Sequence, residues 1–137
     1  MKTKVVLIVT HGDFGRELLQ SVQMIMGEQE DVVTLGLGLG DDIESLRIDV
    51  QKVVDENERT NKETIILVDL FGGSPSNIAL SLLKYHDIKV MVGVNMPMLI
   101  EMLSCRNSYE IEDLVERSYR AGIDGIKKVD IKSTKDA

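Results

Sequence analysis

The sequence predicts an α/β doubly wound fold: a mainly parallel sheet with helices on both faces. Three observations predict it. Short, near-continuous apolar runs such as Val5-Val6-Leu7-Ile8-Val9 and Ile65-Ile66-Leu67-Val68 read as strands buried on both faces. Between them lie longer stretches with apolar residues at helical spacing. The two kinds alternate from one end to the other, as strand–helix–strand units require. At 137 residues, with no repeat or linker, the chain reads as a single domain over residues 1–137. That length is sufficient to bury a core without disulfide or metal staples.

Each element follows from local signals. The first strand covers residues 4–10. A helix over 14–26 then carries Phe14, Leu18, Val22, Ile25 and Met26 on one face. The second strand covers 32–37 and turns at Gly38-Leu39-Gly40. Asp41 and Glu44 form a capping box for a second helix, whose apolar face holds Ile43, Leu46, Val50 and Val53. The third strand, 64–68, ends at Asp69. Ser74 as N-cap and Pro75 at the first helical position open a third helix with Ile78, Leu82 and Leu83. The fourth strand covers 88–92. A short helix begins near Met96-Pro97. Asn107 and Glu110 make a second capping box, opening a last helix that Gly122 and Gly125 end. Residues 126–131, with alternating lysines, suit one more short strand at a sheet edge or between molecules. Right-handed crossovers leave few topologies. A flavodoxin-like arrangement puts strands one and three side by side, in the order 2-1-3-4.

Composition removes several function classes. A net charge of -7 and 4% aromatic residues argue against nucleic acid as a partner. No apolar run is long enough to cross a bilayer. The basic start Met1-Lys2-Thr3-Lys4 imitates a signal peptide, but its apolar run stops at His11-Gly12-Asp13 without a small-residue cleavage site. The one cysteine, Cys105, forms no intramolecular disulfide and fits a reducing compartment. A cytoplasmic location is therefore expected. Two separated histidines and one cysteine give no metal-ligand spacing.

Chemistry in a doubly wound sheet gathers beyond the carboxyl ends of the strands. Strand one ends Thr10-His11-Gly12-Asp13, strand three Asp69-Leu70-Phe71-Gly72-Gly73-Ser74-Pro75, and strand four Gly93-Val94-Asn95-Met96-Pro97. If strands one and three are neighbours, Asp69 reaches one ring nitrogen of His11, fixes the tautomer and leaves the other nitrogen as nucleophile. Gly12, Gly72 and Gly73 let backbone approach an anion closely, and Ser74 adds a hydroxyl at a helix N-terminus. This is machinery for holding a transferring phosphoryl group. Phe14, Met24, Phe71, Met96 and Pro97 are candidate partner contacts. His86, in the helix-to-strand connection at the other end of the sheet, reads as exposed and inert.

Together, Val9-Thr10-His11-Gly12, Gly27-Glu28-Gln29-Glu30, Leu67-Val68-Asp69, Gly72-Gly73-Ser74-Pro75 and Gly93-Val94-Asn95-Met96-Pro97-Met98-Leu99 resemble the IIA component of the mannose-type sugar phosphotransferase system. The resemblance runs from Val5 to about Val129. It implies a phosphocarrier that accepts a phosphoryl group on His11, through Nε2, from the protein HPr, itself charged by Enzyme I from phosphoenolpyruvate. It implies donation to a IIB component, here on a separate chain, during sugar uptake through membrane IIC and IID proteins. Asp69 matches the acid on Nδ1, and Ser74 with its neighbours matches the phosphate cradle. No cofactor is implied beyond the covalent phosphoryl group. The resemblance also implies a homodimer that exchanges a C-terminal antiparallel strand, near residues 125–129. Phe71 stands where the family often has Trp, and Ser76 where some members have an aromatic. A phosphoryl-transfer subunit of a dihydroxyacetone kinase and a regulatory phosphohistidine protein are the alternatives. A receiver or flavodoxin is disfavoured, because Thr10-His11-Gly12 supplies neither an acidic pair nor a hydroxyl-rich phosphate loop.

Overall fold

The computed structural model describes residues 1–132. In chain order it contains β1 (Lys4–His11), α1 (Phe14–Met26), β2 (Val32–Leu37), α2 (Ile43–Arg59), β3 (Glu63–Val68), α3 (Gly73–Leu82), β4 (Ile88–Val92), α4 (Met96–Cys105) and α5 (Ile111–Asp124). The four strands form one parallel sheet in the order β2-β1-β3-β4. The predicted doubly wound class and strand order are therefore those observed.

Alternation along the central strands divides the core in two. Val6, Ile8, Ile65 and Leu67 point to one face, where they meet Leu18 and Val22 of α1, Met98, Leu99 and Met102 of α4, and Leu114 of α5. Leu7, Val9, Ile66 and Val68 point to the other face, against Leu46, Val50 and Val54 of α2 and Ile78, Ala79 and Leu82 of α3. Covering on both faces explains why β1 and β3 are apolar at nearly every position. At the N-terminal end of the sheet, buried Arg106 donates to the backbone carbonyls of Asp31 (2.9 Å) and Lys4 (3.4 Å), and also to that of Glu30. Arg106 thus turns inward, away from Cys105, whose thiol lies 3.5 Å from Glu101 Oε1.

The helix starts depart from the sequence reading in three places. Asp42, not Asp41, caps α2, accepting from the Glu44 N–H, while Asp41 accepts from the Gly38 N–H and closes the preceding turn. Gly72, not Ser74, caps α3 at φ +89°, so Pro75 falls in the third position of the helix. Glu110, not Asn107, precedes α5. Asn95 caps α4: its Oδ1 accepts from the Met98 N–H, and its Nδ2 donates to the Gly122 carbonyl, pinning α4 to α5. Gly122 lies inside α5, where a Cβ would meet Met98 Cε at 3.0 Å, so it serves helix packing rather than termination.

Residues 126–130 adopt no strand, and a helical turn begins at residue 131. The expected strand over 126–131 is therefore not part of this chain's own sheet. A strand exists only where a neighbouring backbone offers a ladder, and within the single chain this segment runs past the end of α5 with Ile126, Val129 and Ile131 exposed.

Candidate functional site

The parallel register of β1 and β3 places Val9 beside Val68. The residues just beyond, His11 and Asp69, therefore emerge together at the carboxyl rim. Asp69 Oδ2 accepts from the backbone N–H of His11 at 2.9 Å and lies 2.8 Å from its Nδ1. Asp69 Oδ1 accepts from the Leu70 N–H at 3.1 Å. One carboxylate thus grips both the backbone and the ring of His11. Because a carboxylate only accepts, this geometry assigns a proton to Nδ1, so in the neutral ring the lone pair lies on Nε2. The imidazole side chain is 48% exposed, so that lone pair is open to a partner.

Burial of the Asp69 carboxyl works to raise its pKa. Hydrogen bonds from the backbone and ring of His11, and from the backbone N–H of Asp69 itself, outweigh that effect and hold the group below its ordinary value. Asp69 is thus a permanent anion near neutral pH, suited to stabilise positive charge on the ring.

The second half of the site faces Nε2. A Cβ on Gly73 would lie 3.3 Å from His11 Nε2 and 3.2 Å from Cε1. Gly72 and Gly73 both have positive φ, +89° and +81°. The positive φ at both positions calls for glycine in the turn, and at Gly73 the missing Cβ also leaves space beside the ring. The N–H groups of the first turn of α3 have no intrahelical acceptors, and with the helix dipole they favour an anion. Ser74, in that turn, is half-buried. Gly12, at φ +52°, donates its N–H to the Leu37 carbonyl at 2.8 Å and so braces the turn after His11 on β2.

An exposed apolar rim surrounds this polar centre. Phe71 is 78% exposed, and Phe14 and Leu70 are exposed as well. A shallow cup beside His11 and Gly12 is walled by Leu37, Leu39 and Ile43. Leu39 is fully exposed between Gly38 and Gly40. The sequence reading missed Leu39 and Ile43, assigning one to a turn and the other to core. The signal was available: a leucine flanked by two glycines in a rim loop has no core to enter.

The other candidate contacts fall elsewhere. Met24 is exposed but lies ten residues along α1 from Phe14, about 15 Å from the rim by helical rise. Met96 packs on the core, and Pro97 lies against Gly125 at the end of α5, so both are half-covered. Ser76 is buried in α3.

His86 corrects a sequence expectation. It is only 13% exposed at the side chain; Nδ1 lies 2.6 Å from Glu58 Oε1 and Nε2 is 2.9 Å from Gln51 Nε2. One side-chain ligand atom each from Asp55, Glu58 and His86 falls within 4.8 Å of the others. Linear spacing concealed this group because α2 presents Asp55 and Glu58 on one face while His86 arrives from the α3–β4 connection.

Comparison with known proteins gives a consistent result. Residues 5–119 match the family model described as "PTS system fructose IIA component". The chain is 34% identical over 138 aligned residues to the mannose-specific EIIAB component of Escherichia coli K12, covering 98% of this chain and 42% of that protein. It therefore spans less than half the length of that relative. It is 33% identical over 111 residues to the fructose-specific EIIA component of Bacillus subtilis, covering 80% of this chain and 75% of the other. Among solved structures, phosphotransferase system component EIIA from Streptococcus agalactiae superposes with a TM-score of 0.84 at 32% identity, covering 92% of this chain and 97% of that one. Among the described residues, no helix is long and apolar enough to cross a membrane.

Proposed function

Because this chain belongs to the PTS system fructose IIA component family, we propose that it accepts a phosphoryl group on His11 Nε2 from phosphorylated HPr and passes it to a IIB component, in the cytoplasm, during sugar uptake. The observation that carries this reading is the His11–Asp69 pair, with a protonated Nδ1 held at 2.8 Å and Nε2 facing the glycine turn before α3. In the forward step the Nε2 lone pair forms a bond to phosphorus as the phosphorus–nitrogen bond of the donor breaks. The donor nitrogen keeps that electron pair. The His11 ring then carries positive charge, which the Asp69 carboxylate balances through Nδ1–H. Phosphoryl oxygens meet the backbone donors at Gly72, Gly73 and Ser74, while the Gly12 N–H, already donated to Leu37, braces the turn instead. The reverse geometry serves donation to IIB. The apolar rim of Phe71, Leu39 and Phe14 supports docking of a protein rather than capture of a small molecule.

A chase tests the relay. Protein phosphorylated through Enzyme I and HPr is mixed with purified IIB, and the label is followed. Transfer to IIB within seconds is expected. A label that remains on this chain favours the regulatory phosphohistidine reading.

Asp69→Ala is expected to slow phosphorylation by ~10²-fold, the low end for a positioned acid–base group, with the fold retained. Asp69 also links stability to pH. Its native pKa is depressed, so its stabilising contribution is complete above the ordinary carboxylate range and is lost as pH falls through the lowered native value. Denaturant titrations across that acid range should show a steeper loss for wild type than for Asp69→Ala. Equal slopes would mean that the pair contributes nothing to the native state.

A homodimer is part of the same proposal. Exposed Ile126, Val129 and Ile131 form an apolar series beyond α5, suited to pairing with a second copy. Removing residues 126–137 is expected to convert the dimer to monomer in sedimentation; a truncated protein that remains dimeric would contradict this arrangement.

A further inference from the structure

Thr10 occupies a β1 position where the surrounding pattern calls for an apolar residue. Its side chain is completely buried, and valine has the same shape and an equal preference for a strand. A buried hydroxyl is tolerated only when it is hydrogen-bonded. Here it makes two bonds: Oγ1 donates to the His11 carbonyl at 3.1 Å and accepts from the Gly15 N–H at 2.9 Å. Gly15 is the second residue of α1, so its N–H has no acceptor within the helix. Asp13, at the N-cap position, makes no side-chain capping bond. Thr10 therefore caps α1 from within the strand.

Gly15 itself marks how closely helix and strand approach. A Cβ there would lie 2.8 Å from Ile8 Cγ2 and 3.2 Å from Thr10 Oγ1. The hydroxyl thus ties both ends of the short segment between His11 and Gly15. With the Asp69 bond to the His11 N–H and the Leu37 bond to the Gly12 N–H, the backbone carrying the imidazole is held on three sides.

We propose that Thr10 is a positioning residue for phosphoryl transfer, holding the His11 backbone so that its ring stays on Asp69 with Nε2 aimed at the glycine turn. The proposal rests on the phosphocarrier reading above. It assigns Thr10 no contact with the phosphoryl group; Thr10 acts through His11.

The test compares wild type, Thr10→Val and Thr10→Ser in steady-state phosphorylation by phospho-HPr, with imidazole nitrogen NMR of His11 on the unphosphorylated proteins. Thr10→Val is expected to lower kcat by ~10-fold, as a small misplacement of a reacting group does, with KM for phospho-HPr unchanged because the docking rim is intact. Its His11 signals should show a reduced share of the Nδ1–H form. Thr10→Ser, which keeps the hydroxyl and loses only a methyl group, should restore both readouts. If Thr10→Val does not fold, Thr10→Ala replaces it with the same expectations. Wild-type kcat and tautomer in a folded variant without the hydroxyl would overturn the proposal. So would a serine variant as slow as the valine one. A wild type that takes no phosphoryl group would overturn the phosphocarrier reading instead, and the NMR comparison would still decide whether Thr10 positions the ring.

Discussion

His11→Ala should take up no phosphoryl group from phospho-HPr, while keeping wild-type secondary structure. The imidazole is half exposed and contributes little to the core. The chain contains one other histidine, and its geometry does not allow it to substitute. His86 has Nδ1 against Glu58 and Nε2 against Gln51, and it lies in the connection entering β4, at the opposite end of the parallel sheet from His11. It has no glycine turn beside it. Radiolabel from phosphoenolpyruvate, followed through Enzyme I and HPr, reads the effect directly. Label retained by the variant would place the acceptor elsewhere.

Gly73→Ala is expected to lower phosphorylation by at least ~10²-fold, comparable to misplacing a reacting group by an ångström. The added Cβ lies 3.3 Å from Nε2, where it crowds the nitrogen proposed to take the phosphoryl group. The substitution also carries a backbone penalty of ~1–2 kcal/mol, because φ is +81° there. Gly27→Ala separates the two effects. Gly27 has φ +88°, nothing lies within 4 Å of its Cβ position, and it ends α1 at the other end of the sheet. It should lose comparable stability and retain full transfer. If Gly27→Ala and Gly73→Ala slow transfer equally, crowding of Nε2 is not the cause.

Much of this arrangement was legible in the residues. The apolar runs of β1 and β3 could belong only to strands covered on both faces, and that fixed which loops share a rim with His11. Asp69 followed from strand adjacency, since a parallel register brings the residues after Val9 and Val68 together. Capping was read less well. Asp41 and Asp42 are equally good caps by type, and only the turn closed by Asp41 on Gly38 settles which one begins α2. Gly72 displaced Ser74 because the turn demands positive φ before the helix begins. Thr10 read as the end of the first strand within the Val9-Thr10-His11-Gly12 stretch, with no role of its own, and Leu39 as part of a turn. The glycines flanking Leu39 were a local signal, whereas the role of Thr10 depends on its tertiary neighbour Gly15, which no local pattern contains. The pairing of His86 with α2 was hidden for the same reason.

The most direct test is phosphorus–nitrogen correlation NMR on protein carrying isotope-labelled histidine, phosphorylated with phosphoenolpyruvate, Enzyme I and HPr. One phosphorus atom is expected on Nε2 of His11, with Nδ1 still protonated and the His86 signals unchanged. Phosphorus on Nδ1 of His11, on His86, or on neither ring with an active donor would contradict it.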